Sequence, residues 1–280
     1  MAGHVSAGIG AEAPAVRLAP RDGVAAGFTG REFGNASLLL GGGDPAAARR
    51  ALGPLVGAPD GAVVLMEQVH GAEVARVSRD DAGRGVDRQA DAVPGVDALV
   101  TTDPGLALAV LTADCVPVLL AGDGVVGAAH AGRAGLLAGV VERTVEEMAR
   151  CGAPAASLTA VIGPAIGGCC YEVPTELARQ AVARIPELAA RTRWGSASLD
   201  LPRGVAAVLR GAGVGRVGLI EACTRCAPHR WFSHRAATDG RAPAGAEGRQ
   251  AAVIALGGGQ PVAAANGDAP GLRLSPQWLS

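Results

Sequence analysis

Few residues of this chain are equipped for chemistry, and three of them stand in apolar, glycine-punctuated surroundings. Cys115 and His130 flank a Gly-Asp-Gly break in "VLTADCVPVLLAGDGVVGAAHAGRAG", residues 110–135, and His70 lies in "MEQVHGAEV" beside Glu67, Gln68 and Glu73. One thiolate and two imidazoles are the donors of a catalytic zinc site, whose open fourth position turns water into a nucleophile near neutral pH. The same donors suit a blue-copper centre when a weak axial ligand is present. Spacing alone carries little weight, because gaps of this length match no compact metal motif. A lone Cys is as a rule a small core residue, and a lone His at a chain break is as a rule a satisfied turn residue.

The elements that must position these residues sharpen the choice. "VPVLLAGDGVVGAAH" reads as an antiparallel hairpin. A type II′ turn at Gly122-Asp123 sets Cys115 directly opposite His130, with Cβ atoms roughly 5 Å apart. A type I′ turn at Asp123-Gly124 shifts the pairing by two residues and leaves them diagonal. Both registers keep the two side chains on one face, because the shift is even. Pro117 requires its strand to be an edge, or irregular, at that point. Asp114 points to the opposite face of a regular strand, as a structural acceptor or toward a neighbouring pocket. After His130, "AGRAG" opens a helix, and backbone N–H groups gather at such an entry to hold anions.

Elsewhere strand-like and helix-like pieces alternate. "AVVLMEQVHGAEVARV" (62–77) has β-type spacing broken at His70-Gly71, and "DALVTT", "LALAVLTA", "VPVLLA" and "GVVGAAHA" are four short strands. "GLLAGVVERTVEEMARCG" (135–152) switches to helical spacing, with Leu136, Val140, Val141, Val145 and Met148 on one face and Gly152 at its end. A strand in "LTAVIGPAIGG", helices in "PTELARQAVARI" and "LPRGVAAVLRGAG", and strands in "RVGLIEA" and "RQAAVIAL" complete the pattern. The fold class is α/β in the α+β sense, a single-domain layered sandwich whose mixed sheets contain an antiparallel hairpin. That domain spans about 16–256; residues 1–15 and 257–280 read as flexible tails.

Composition sets the outer bounds. The chain has 280 residues, 49% hydrophobic, with a net charge of −1 and only Arg among its 25 basic side chains. Near-neutral charge argues against a nucleic-acid or membrane-surface protein. No signal peptide and no 18-residue apolar run are evident, so the expectation is a cytoplasmic chain whose six Cys serve as thiols or ligands. Cys223-Thr-Arg-Cys226 has CxxC spacing, but no second CxxC pair accompanies it, which favours free thiols. The adjacent Cys169-Cys170 would close a strained ring, which again favours thiols. His229 and His234 flank a pocket at most. Phe28, Phe33, Tyr171, Trp231 and Phe232 are the aromatics on offer for base stacking.

In order and wording, "MEQVHGAEV", "DALVTTDPGLALAVLTADCVPVLL", "GAAHAGRAGLLAGVVERTVEEM" and "IGPAIGGCCYEV" resemble the bacterial laccase-domain proteins. That family is also called polyphenol oxidase, purine nucleoside phosphorylase or peptidoglycan editing factor. The resemblance runs from about Phe28 to about Leu256 and implies an α/β sandwich with a metal held by two His and one Cys, matching His70, Cys115 and His130. It further implies zinc, with copper possible in the same site, and purine nucleosides and phosphate as small-molecule partners. The implied reactions are phosphorolysis of adenosine, inosine, guanosine and methylthioadenosine, and deamination of adenosine. Copper-dependent polyphenol oxidation and cytosolic editing hydrolysis of a peptidoglycan precursor are the alternatives. No nucleic acid or membrane partner is expected, and the chain is a monomer or homodimer. Asp114 and Glu67 are the nearest carboxylates for moving a proton, and Arg133 at the helix entry is the candidate for phosphate. Arg31, Asn35 and Ser37, in the N-terminal loop, are candidate substrate contacts. Two departures stand out: Arg133-Ala134-Gly135 replaces the usual Trp-Arg-Gly, and the usual Gly-Gly-Val-Ser run is missing.

Overall fold

In the computed structural model, residues 7–8, 15–240 and 247–257 are described. Runs of Val, Leu, Ile and Ala between Gly and Pro breaks make the strands, and stretches rich in Ala, Leu, Glu and Arg make the helices. The first half of the chain forms β1 (Ala7–Gly8), β2 (Ala15–Arg21), β3 (Val24–Thr29), α1 (Pro45–Arg50), α2 (Leu52–Leu55), β4 (Val63–Leu65), β5 (Val74–Arg76), β6 (Ala98–Thr101), β7 (Ala107–Thr112), β8 (Val116–Ala121) and β9 (Val126–Ala131). The second half forms α3 (Arg133–Ala138), α4 (Val140–Arg150), β10 (Thr159–Ile162), α5 (Thr175–Arg184), β11 (Ala189–Arg191), β12 (Ala197–Leu199), α6 (Leu201–Gly211), β13 (Arg216–Leu219), α7 (His234–Thr238) and β14 (Gln250–Leu256).

Two six-stranded sheets carry the fold, in the orders β1-β2-β3-β14-β7-β4 and β13-β10-β8-β9-β6-β5, with β11 and β12 as a separate pair. Both mix parallel and antiparallel pairs. The sheets face each other across a core of Phe28, Leu108, Val110 and Ile254 from the first and Leu99, Leu119, Val126 and Val161 from the second. Alternation along each strand then dictates what covers the outer faces. Val116, Val118 and Leu120 of β8 turn outward onto Val140, Val145 and Met148 of α4 and Val205 and Leu209 of α6. On the far side, Ala251, Val253 and Ala255 of β14 meet Leu52 and Leu55 of α2. The result is a four-layered α/β/β/α sandwich whose central strands β8, β9 and β14 are buried on both faces.

The central hairpin takes the register shifted by two residues, not the directly opposed one. Pro117 pairs with His130 and Ala121 with Val126, and the Gly122 N–H donates to the Val125 carbonyl at 2.8 Å. Asp123-Gly124 is therefore the turn, but only Gly124 has a positive φ, +64°, so the expected type I′ geometry is corrected. Of the two expectations for Pro117, the edge strand is corrected, because β8 lies inside its sheet between β9 and β10, and the interruption at that point is what is found. The proline is tolerated because the β10 ladder stops at Val118, so the missing N–H faces the end of the pairing. The Pro117 carbonyl still accepts from Gly163 N at 2.9 Å.

The helix expected over 135–152 is divided in two at Gly139, whose φ of +92° no helix can contain. The 62–77 run is likewise split. Its first half, β4, pairs with β7 in one sheet, and its second, β5, pairs with β6 in the other. His70 thus sits on the crossover between the sheets. Of the expected tails, Ala7–Gly8 pairs with Arg17 and Leu18, Ala15 opens β2, and Gly257 follows β14; the rest lies outside the described residues. Among these, no helix is long and apolar enough to cross a membrane.

Candidate metal centre

Topology brings His70, Cys115 and His130 to one end of the sandwich. β8 and β9 are antiparallel neighbours, so the start of one lies beside the end of the other. Cys115 stands one residue before β8, and His130 near the end of β9. The crossover delivers His70 from the side. Asp97, one residue before β6 and fully buried, fastens the three together. Its carboxylate accepts from the backbone N–H groups of Gly71 at 2.7 Å, His70 at 3.0 Å and Val69 at 3.2 Å. It also takes the Nδ1 of His130 at 2.7 Å. One buried acid thereby shapes the turn in which His70 adopts φ +60° and orients the second imidazole. Sequence reasoning missed Asp97, for an Asp ahead of an apolar run carries no signature.

The donor atoms converge. Cys115 Sγ lies 3.8 Å from His70 Nε2, the two imidazoles meet edge-to-face at 4.8 Å between centroids, and all three ligand atoms fall within 4.8 Å of one another. Because Asp97 occupies Nδ1 of His130, Nε2 is the nitrogen left to ligate, the carboxylate–histidine arrangement common behind metal ligands. Gly132 packs beneath the set. A Cβ there would lie 2.9 Å from His70 Cδ2 and 3.2 Å from Cys115 Sγ. Two nitrogens and one sulfur, backed by a carboxylate and floored by a glycine, fit a zinc or copper ion.

The charges are already arranged for a cation. Burial pushes the Cys115 thiol up, but hydrogen bonds from His130 and His70 outweigh it and bring the thiol down to about 6. Burial pulls His130 down, yet Asp97 and Cys115 raise it to about 9. The bare site thus holds a thiolate, a carboxylate and an imidazolium whose proton a metal would displace.

Around this set the remaining candidates divide. Asp114 has φ +93°, which breaks the strand's regularity, and both carboxylate oxygens are engaged. One accepts from Thr224 Oγ1 at 2.6 Å and the other from Arg235 N at 2.7 Å. Arg133 opens α3, and burial raises the Tyr171 hydroxyl above its ordinary value against the pull of Arg133 and Arg235. Glu67 is exposed. Asn35 and Ser37 build their own loop: the Asn35 amide donates to Leu40 O and accepts from Ser37 N and Arg249 N, and Ser37 Oγ accepts from Leu39 N and Leu40 N. Arg31 stacks on Phe232 at 4.5 Å. His229 and His234 are exposed and outside the ligand group.

Arg249 escaped the sequence reading altogether. Burial lowers its guanidinium pKa, while the charges of Cys115 and Asp114 act the other way. Its backbone N–H donates to Asn35, one residue before β14, so a cation delivered by the first sheet acts on the thiolate. The CxxC at 223–226 has no second CxxC beside it and its cysteines are free thiols, as expected, but the adjacent cysteines come to meet it. Cys169 and Cys170 join Cys223 and Cys226 in one group of four sulfurs.

Comparison with known proteins gives the family of the chain. Residues 42–257 match the family described as multi-copper polyphenol oxidoreductase laccase. A purine nucleoside phosphorylase of Streptomyces coelicolor is 46% identical over 77% of this chain and 91% of its own length. An adenosine deaminase of an unknown prokaryotic organism, RL5, is 35% identical over 67% of this chain and 75% of its own. The crystal structure of YlmD from Geobacillus stearothermophilus superposes with a TM-score of 0.78 at 32% identity, covering 90% of this chain and 99% of that one.

Proposed function

This chain belongs to the multi-copper polyphenol oxidoreductase laccase family, and within it we propose a zinc-dependent purine nucleoside enzyme that cleaves nucleosides with phosphate and deaminates adenosine. The observation that carries the reading is the convergence of His70, Cys115 and His130 with Asp97 locked behind His130. Three protein ligands leave a position open, and zinc held there would supply Lewis acidity and activate water. The relatives named for phosphorolysis and for deamination support the substrate class.

Phosphorolysis breaks the bond from the ribosyl carbon to the purine nitrogen, makes one to a phosphate oxygen and delivers a proton to the leaving base. Arg133 at the head of α3 and Arg249, whose charge is felt by Cys115, are the cations for phosphate. Deamination adds water at the purine C6 and releases ammonia. Glu67, exposed three residues from His70, carries protons between the site and solvent. Asp114 is fully engaged by Thr224 and Arg235, so its part is to hold the floor beside Cys115. Arg31, Asn35 and Ser37 act on substrate through the loop that presents Arg249. Six free thiols suit a reducing cytoplasm.

Purified protein of measured zinc content, given adenosine and phosphate, should release adenine and ribose 1-phosphate, with inosine from deamination. Inosine, guanosine and methylthioadenosine should be cleaved in the same way, and His70→Ala should abolish turnover. A zinc-loaded preparation that turns over no purine nucleoside rejects the reading. Copper outcompetes zinc for nitrogen and sulfur donors, so phenol oxidation should scale with copper while nucleoside turnover scales with zinc. With five His in the whole chain, a four-copper centre lacks the imidazoles it needs.

A further inference from the structure

We infer that the chain holds a second metal ion, a closed four-thiolate zinc site formed by Cys169, Cys170, Cys223 and Cys226. The topology explains why two distant sequence pairs meet. β10 and β13 are parallel neighbours, so the segments leaving their C-terminal ends emerge side by side, and a bridge between Ala165 and Cys223 continues the pairing. The first segment carries the adjacent cysteines and the second the CxxC. Four sulfurs, each from a reduced cysteine, lie within 4.8 Å of one another.

The distances fit a single tetrahedral ion. Cys169 and Cys170 are 3.7 Å apart, Cys169 and Cys226 3.6 Å, and Cys170 and Cys226 3.5 Å. A tetrahedron with Zn–S bonds of about 2.3 Å separates its sulfurs by about 3.8 Å. An iron–sulfur cluster spreads its cysteines over several irons and needs a wider cage. No fourth position is left for water or substrate, so the site is structural. Its surroundings match the charge of four thiolates on a divalent ion. Arg193 donates to Cys170 at 2.8 Å and Cys226 at 2.7 Å, Gly167 N donates to Cys223 at 3.3 Å, and Arg225 is tied down by Asp239 beside them.

The site would brace the first one. Tyr171, which feels the charge of Arg133 and lies under Arg235, follows Cys170 directly, and Thr224, which holds Asp114, lies inside the CxxC. Pinning both segments to one ion fixes a wall and a floor contact of the catalytic pocket.

Zinc is counted on protein purified without chelators. Two equivalents per chain are expected for wild type, one for Cys115→Ala and one for the Cys169→Ser/Cys226→Ser double variant. If the double variant does not fold, wild type answers directly: the four cysteines should alkylate at least tenfold more slowly in zinc-loaded protein than after chelation, read peptide by peptide by mass spectrometry. Cobalt-substituted Cys115→Ala should show the intense visible absorption of a tetrahedral four-thiolate ion. Equal alkylation rates before and after chelation, a disulfide among the four in freshly purified protein, or bound iron instead of zinc would each overturn the assignment.

Discussion

Asp97 is the residue on which the centre depends most, though it ligates nothing. Its charge keeps a proton on Nδ1 of His130 and points Nε2 inward, while three backbone N–H groups hold it in place. Asp97→Asn keeps the volume and loses the charge, and should weaken zinc binding by about 10- to 100-fold, as measured by competition with a chromophoric chelator. Acidity makes a second prediction. Without metal, Cys115 is a thiolate above about 6 and His130 keeps its extra proton up to about 9. Metal must displace that one proton, so binding strengthens as pH rises. Between pH 7 and 9 the apparent affinity should climb by about tenfold per unit and then level off. Zinc titrations at several pH values check it, and a flat profile would mean that His130 carries no extra proton in the metal-free site over this range.

At the scale of elements, the hairpin shows what a sequence can and cannot tell. Either turn put Cys115 and His130 on one face, because strand alternation has a period of two and the registers differ by two. The pairing was legible; the turn type was not, since Gly122-Asp123 and Asp123-Gly124 are both good turn dipeptides. Asp97 and Arg249 stayed hidden because sheet pairing, not a motif, brings them to the site. Two glycines make the division of labour testable. Gly139 separates α3 from α4 at φ +92°, whereas Gly132 begins α3 at an ordinary φ of −72° and lies under the ligands. Gly139→Ala should cost about 1 kcal/mol through left-handed strain and leave zinc content unchanged. Gly132→Ala should do the reverse, folding normally while its Cβ displaces His70 and Cys115 and lowers zinc content. Parallel thermal melts and metal analysis separate the two.

Across the whole molecule, the centre lies on the seam between the sheets: Cys115 and His130 come from the second, Arg249 from the first, and His70 from the chain that crosses between them. The layered class was legible because the hydrophobic runs are short and the helices amphipathic. The tetracysteine group was not, because its halves meet only through the parallel pairing of β10 with β13. A site on a seam stabilises the sandwich when filled. At free zinc one hundredfold above the dissociation constant, binding to the native state adds about 2.7 kcal/mol. For a domain of this size, that is a rise in melting temperature of roughly 5–11 °C. The share owed to this site is the part that Cys115→Ala removes. Leu119→Ala, in the core between the sheets, should cost about 2–5 kcal/mol. Leu119 sits four residues along β8, away from the donors, so the two effects should add. The zinc-dependent rise should then be the same in Leu119→Ala as in wild type, only from a lower baseline. A rise that shrinks with the core would mean that the metal senses the packing of the sheets rather than its ligands alone.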